Sequence, residues 1–151
     1  MAEHVLDVVP GAGIAMTEGT GSNQGKLFIS ALNNGADAVY FGMGNFNARR
    51  NAQNFSTDEE IKNAIEYCHS RGVKVHITLN TLIKDAEIKD AIECVKKICT
   101  LGADAIIVQD LGLAKVIKTV CPDIQMHAST QMSVGTLAGL YILKEMGFDR
   151  A

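Results

Sequence analysis

Gly72-Val73-Lys74-Val75-His76-Ile77-Thr78-Leu79-Asn80 is the stretch on which the fold turns. Its alternation sends Val73, Val75, Ile77 and Leu79 to one side of a strand and Lys74, His76, Thr78 and Asn80 to the other. A central strand of an open α/β sheet has helices on both faces and should be apolar on both. An apolar row facing helices and a polar row facing a lumen suit a barrel better. The same division recurs downstream, where Gln125, His127, Ser129 and Gln131 oppose Ile124, Met126, Ala128 and Met132.

Working outward, strand-like and helix-like segments alternate. Glycine announces most of the strands: Asn34-Gly35-Ala36-Asp37-Ala38-Val39-Tyr40-Phe41-Gly42, Leu101-Gly102-Ala103-Asp104-Ala105-Ile106-Ile107-Val108, and Met146-Gly147-Phe148-Asp149. Such a glycine ends the preceding helix in the left-handed conformation at little steric cost. Between the glycines the apolar spacing becomes helical: Ile61, Ala64, Ile65 and Cys68, then Ile88, Ala91, Ile92 and Val95, then Leu113, Val116, Ile117 and Val120. Ser56 with Glu59 predicts a capping box at the start of the first of these stripes. Residues 5–9 read as the first strand, 26–34 as the first helix, 124–130 as a strand and 134–146 as a helix. The order predicts an α/β fold with a parallel sheet: five βα units and the start of a sixth strand. A doubly wound five-stranded sheet closes in about 150 residues, whereas a (β/α)₈ barrel needs about 250. The polar rows favour the barrel, incomplete at this length. Residues 1–151 read as one domain, with 11–25 as a flexible glycine-rich loop.

Composition narrows the function classes. The chain has 151 residues, 47% hydrophobic and 21% charged, which excludes a disordered chain. Its net charge of −3 argues against a general nucleic-acid or anionic-membrane binder and leaves room only for a local basic patch. No apolar run approaches the ~20 residues of a membrane span. The start, Met1-Ala2-Glu3-His4, has no secretory pattern, so the expected location is the cytoplasm. Cys68, Cys94, Cys99 and Cys121 have neither disulfide-framework nor zinc-site spacing and read as reduced, structural residues.

In either architecture the working residues lie where strands end, at the carboxyl edge. That edge gathers Tyr40, Thr78, Asn80, Gln109, Asp110, Ser129, Thr130 and Gln131. Hydroxyls and carboxamides suit hydrogen-bonded recognition of a polar substrate, and only Asp110 and His127 suit acid–base work. A Ser129/His127/Asp110 arrangement can be drawn. However, residues two apart on a strand are separated by ~6.6 Å along it, which is long for a nucleophile–base hydrogen bond. Arg49 and Arg50 follow the strand ending at Gly42 and offer guanidinium groups to a carboxylate or phosphate. Thr20-Gly21-Ser22-Asn23-Gln24-Gly25-Lys26-Leu27 approaches a phosphate-binding loop but lacks its first glycine and its closing hydroxyl.

Five blocks then carry a resemblance: Asn34 to Gly42, Phe46-Asn47-Ala48-Arg49, Gly72-Val73-Lys74-Val75 with Thr78 to Leu82, Val108-Gln109-Asp110-Leu111-Gly112, and His127-Ala128-Ser129-Thr130-Gln131-Met132. From about Gly25 onward the chain resembles the collagenase-like peptidases, family thirty-two of those with unassigned catalytic type. The resemblance implies the N-terminal part of a TIM-barrel-like domain. It implies peptide-bond hydrolysis on a peptide or protein substrate by the full-length protein, with this stretch inactive alone. Other members imply an alternative: oxygen-independent hydroxylation of transfer RNA, ribosomal RNA or a ubiquinone precursor, with RNA as the partner. A third reading is a non-catalytic interaction module that self-associates through an open sheet edge. The expected substrate-binding residues are Tyr40, Arg49, Asn80, Gln109, Asp110, Ser129 and Gln131, with no nucleophile and no metal ligand assigned. Some family members hold an iron–sulfur cluster through a cysteine block beyond the sixth strand. None of the four cysteines here matches it, so a cluster is expected only in the full-length protein.

Overall fold

The computed structural model describes residues 14–16, 32–33, 35–48 and 57–151. Five strands, β1 (Ile14–Met16), β2 (Ala38–Gly42), β3 (Lys74–Leu79), β4 (Ala105–Val108) and β5 (Gln125–Ala128), form one parallel sheet in the order 1-2-3-4-5. That order separates the two candidate architectures. A doubly wound sheet reverses its strand order at a switch point, whereas a barrel lays each strand beside its predecessor. A parallel bridge between His127 and Arg150 starts the next strand alongside β5. The fold is a TIM-barrel-like α/β sheet, as the polar rows predicted.

The first strand corrects the sequence reading. Residues 11–25 were expected to be loop, yet Ile14-Ala15-Met16 pairs with Ala38-Val39-Tyr40. Three residues are too few for a periodicity to show. The strand expected at 5–9 lies outside the described residues, as does all of the helix expected at 26–34 except 32–33.

Four helices lie wholly within the described residues: α1 (Asp58–His69), α2 (Ile88–Leu101), α3 (Leu111–Val120) and α4 (Leu137–Glu145). All four stripe residues of α1 are buried, as are Ala91, Val95 and Ile98 of α2 and Leu113, Ala114 and Ile117 of α3. They meet the apolar row of the sheet, Val39, Phe41, Val75, Ile77, Leu79, Ile106, Val108 and Met126, in one core. Each large aliphatic side chain buried there contributes about 1.5–3 kcal/mol. The capping box of α1 sits one residue later than expected. Thr57 accepts from Glu60 N at 3.2 Å, and Glu60 accepts from Thr57 N at 3.2 Å. Ser56/Glu59 and Thr57/Glu60 fit the same spacing, so the pattern alone could not choose between them.

A repeated aspartate fastens the units. Asp104, two residues after Gly102, accepts from Val75 N at 2.7 Å and donates its own N–H to Val75 O at 2.9 Å. Asp149, two residues after Gly147, repeats this on Met126, with both bonds at 2.8 Å. In each case the carboxylate entering one strand clamps the backbone of the strand before it. Gly102 (φ 88°) and Gly147 (φ 87°) hold the left-handed turn that aims the aspartate.

The cysteine reading also needs correcting. Cys99 in the last turn of α2 and Cys121 capping α3 are joined as a disulfide, with Cα atoms 7.0 Å apart. Only Cys68 and Cys94 remain free. No helix among the described residues is long and apolar enough to cross a membrane.

Candidate functional site

The concave face of the sheet carries the polar rows. His76 (2% exposed), Thr78, His127 (5%) and Ser129 are all buried there. His76 pairs in register with Ala105, and His127 with Ile107 on the same strand. The small Ala105 side chain leaves room for the two imidazoles to meet across β4, edge to face, with centroids 4.7 Å apart. His76 Nδ1 is buried without a hydrogen-bond partner among the described residues. Burial, aided by the Arg150 charge, lowers the His76 pKa to about 4. Burial, together with His76 and Arg150, lowers that of His127 to about 3. Both rings are therefore neutral near pH 7.

Above them the strand ends open into the carboxyl edge. Tyr40 is half-buried, and burial raises its phenol pKa. Asn80 Oδ1 accepts from Ala48 N at 3.0 Å, tying the loop after β2 to the end of β3. Asp110 caps α3, accepting from Leu113 N at 2.8 Å through Oδ1, and its Oδ2 accepts from Ile83 N at 3.3 Å. Ser129 Oγ accepts from Gln131 N at 3.2 Å and shapes the 3₁₀ turn Thr130–Met132. Gln109 is half-exposed and makes no hydrogen bond among the described residues, and the Gln131 side chain is exposed. Arg49 and Arg50 lie outside the described residues. Asn80, Gln109, Asp110 and Ser129 thus fall on the successive ends of β3, β4 and β5, a span of about 10 Å at ~4.8 Å per strand, whereas Tyr40 lies mid-strand in β2, in register with His76.

The Ser/His/Asp arrangement does not survive this geometry. Asp110 spends both oxygens on backbone N–H groups, and the His127 ring lies against His76, buried and neutral. Among the described residues no carboxylate hydrogen-bonds His127, so they do not assemble the relay that would activate Ser129.

Asn47, absent from the sequence-derived set, is 2% exposed and donates from Nδ2 to Gly44 O at 2.9 Å. Its carboxamide occupies the space a Cβ at residue 42 would fill, which accounts for glycine there. The signal was present in the block Phe46-Asn47-Ala48, but a buried asparagine in a loop has no spacing to betray it. A cavity of about 480 Å³ lies apart from the carboxyl-edge residues, between the loop after β2, α1 and α2. It is lined by Met43, Phe46, Ile61 and Asp90, and by an Asp58–Lys97 ion pair at 2.8 Å.

Sequential parallel strands, helices on one face and polar residues at the strand ends define this chain as part of a (β/α) barrel. The solved structure of a U32 peptidase superposes with a TM-score of 0.64 at 15% identity, covering 80% of this chain and 52% of that one. A 2,3-dimethylmalate lyase gives 0.59 at 14% identity, over 91% and 51%. Residues 24–151 match Peptidase family U32, and the chain belongs to that family. The 23S rRNA 5-hydroxycytidine synthase of Escherichia coli is 38% identical over 120 residues, which are 80% of this chain and 18% of that protein. The tRNA hydroxylation protein P of Helicobacter pylori is 36% identical over 128 residues, 85% of this chain and 30% of that protein. The collagenase of Porphyromonas gingivalis is 34% identical over 119 residues, 76% and 27%. This chain therefore spans less than a third of the curated relatives it matches. The expectation of peptide-bond hydrolysis is overturned by the rRNA and tRNA hydroxylation relatives, which support the alternative reading instead.

Proposed function

We propose that this chain is the barrel portion of a protein that hydroxylates a pyrimidine base in ribosomal or transfer RNA. The observation that carries the reading is the 38% identity to the rRNA 5-hydroxycytidine synthase over 120 residues. The geometry supports it. A row of carboxamides and hydroxyls without an activated nucleophile suits reading the edge of an unstacked base more than attacking a peptide carbonyl. Tyr40, Gln109 and Gln131 would contact the base, while Asn80, Asp110 and Ser129 hold the loops that frame it. Arg49, next to that frame in sequence, would meet a phosphate. RNA would be the partner and the cytoplasm the place.

An iron–sulfur cluster does not fit the cysteines present. Two are paired with each other, and no three metal-ligating side chains converge among the described residues. Such a group would have to be held by sequence beyond these residues.

The test is nucleoside mass spectrometry of rRNA and tRNA from a strain lacking the gene. A hydroxylated cytidine or uridine should disappear and return on complementation. Unchanged nucleosides, with casein or collagen cleavage by the full-length protein, would overturn the reading.

A further inference from the structure

We propose that Cys99 and Cys121 form a reversible thiol–disulfide site that staples α2 to α3 at the amino edge of the sheet, remote from the carboxyl-edge residues. Both cysteines sit at helix C-terminal ends. α2 runs through Gly102 into β4, and α3 runs through Pro122 into β5, so the bond joins two adjacent βα units just before their strands begin. The Cα separation of 7.0 Å is at the outer limit for bridging, so closing and opening the bond involves small movements of the two helix ends. Both residues are half-buried, within reach of a small reagent.

The other two cysteines are poor competitors. Cys68 is fully buried, and burial pushes its thiol pKa to about 11. Burial does the same to Cys94. Neither presents an appreciable thiolate, the form that attacks a disulfide. The co-reactant is a low-molecular-weight disulfide of the glutathione type. One cysteine thiolate attacks it, breaking its S–S bond and releasing one small thiol. The second cysteine then displaces the other small thiol from the mixed disulfide. The protein loses two electrons and two protons, and the small disulfide becomes two thiols.

At the amino edge of a barrel such a bond bears on stability and leaves the carboxyl edge intact. Fully reduced protein is equilibrated with reduced and oxidised glutathione at several ratios, then alkylated and digested. Before alkylation the expected product is 2 Da lighter than the reduced chain; after alkylation under denaturing conditions and digestion, the Cys99 and Cys121 peptides are linked and Cys68 and Cys94 are alkylated. The oxidised form should melt several degrees above the reduced form. Dithiothreitol should reverse both changes, and Cys99→Ser and Cys121→Ser should each abolish the redox response of the melting temperature. Stable single glutathione adducts without the cross-link, or equal melting of the two forms, would overturn the proposal.

Discussion

Lowering the pH from 7 to 5 should destabilise this protein through one pair of side chains. His76 and His127 titrate at about 4 and about 3 in the folded chain, against about 6.5 in an unfolded one. A depressed histidine pKa means that below pH 6.5 the unfolded chain takes up protons that the folded chain refuses, so stability falls as the pH falls. The loss begins near pH 6.5 and continues down to the folded values. For each histidine, linkage gives about 2 kcal/mol lost between pH 7 and pH 5, and about 4 kcal/mol for the pair. Against the 5–15 kcal/mol typical of a domain, that is a large fraction. Most carboxylates are still ionised at pH 5, so they add little over this interval. Urea denaturation at pH 7, 6 and 5 measures the slope. His127→Phe, which keeps the edge-to-face contact but cannot take a proton, should remove about half of it. A wild-type curve flat between pH 7 and 5, or an unchanged slope in His127→Phe, would refute the reasoning.

Three further outcomes follow from single contacts. Asp110→Ala removes the cap of α3 and the bond to Ile83 N and should cost about 1–2 kcal/mol in urea denaturation; Asp110→Asn, which can still cap, should cost less. Gly42→Ala drives a methyl into the Asn47 carboxamide and should cost about 1–3 kcal/mol. Asn47→Ala should relieve much of that, so a double-mutant cycle that is simply additive would contradict the packing. Gly102→Ala forces a side chain into the left-handed region at φ 88° and should cost about 1–2 kcal/mol, read as a lowered melting temperature.

The fold was legible because burial writes a period into the chain. The alternation from Val73 to Asn80 and the stripes on α1 to α3 were sufficient to anticipate a barrel over an open sheet. β1 was missed because Ile14-Ala15-Met16 is too short to carry a period. The strand-end positions were legible as well, but their roles were not. Asp110 and Ser129 look like chemistry in sequence, whereas their oxygens are occupied by backbone N–H groups in the structure. The Cys99–Cys121 pair was invisible because the partners lie on different helices, 22 residues apart. The meeting of His76 and His127 depends on Ala105 between them, a relation of register across three strands that no local window contains.

The aspartate clamps carry a consequence for how the chain assembles during synthesis. The carboxylate that fixes β3 arrives with Asp104, and the one that fixes β5 arrives with Asp149, in each case more than twenty residues after the strand it fastens. A chain leaving the ribosome at about 5–20 residues per second would therefore hold its newest strand only provisionally, for seconds, until the next unit emerged to lock it. Assembly becomes directional at these two strands, each closed by the segment that follows it. Asp104→Ala should lengthen the interval during which β3 on stalled nascent chains is open to protease. If protection of β3 arose before residue 104 had emerged, this order of closure would be the wrong picture.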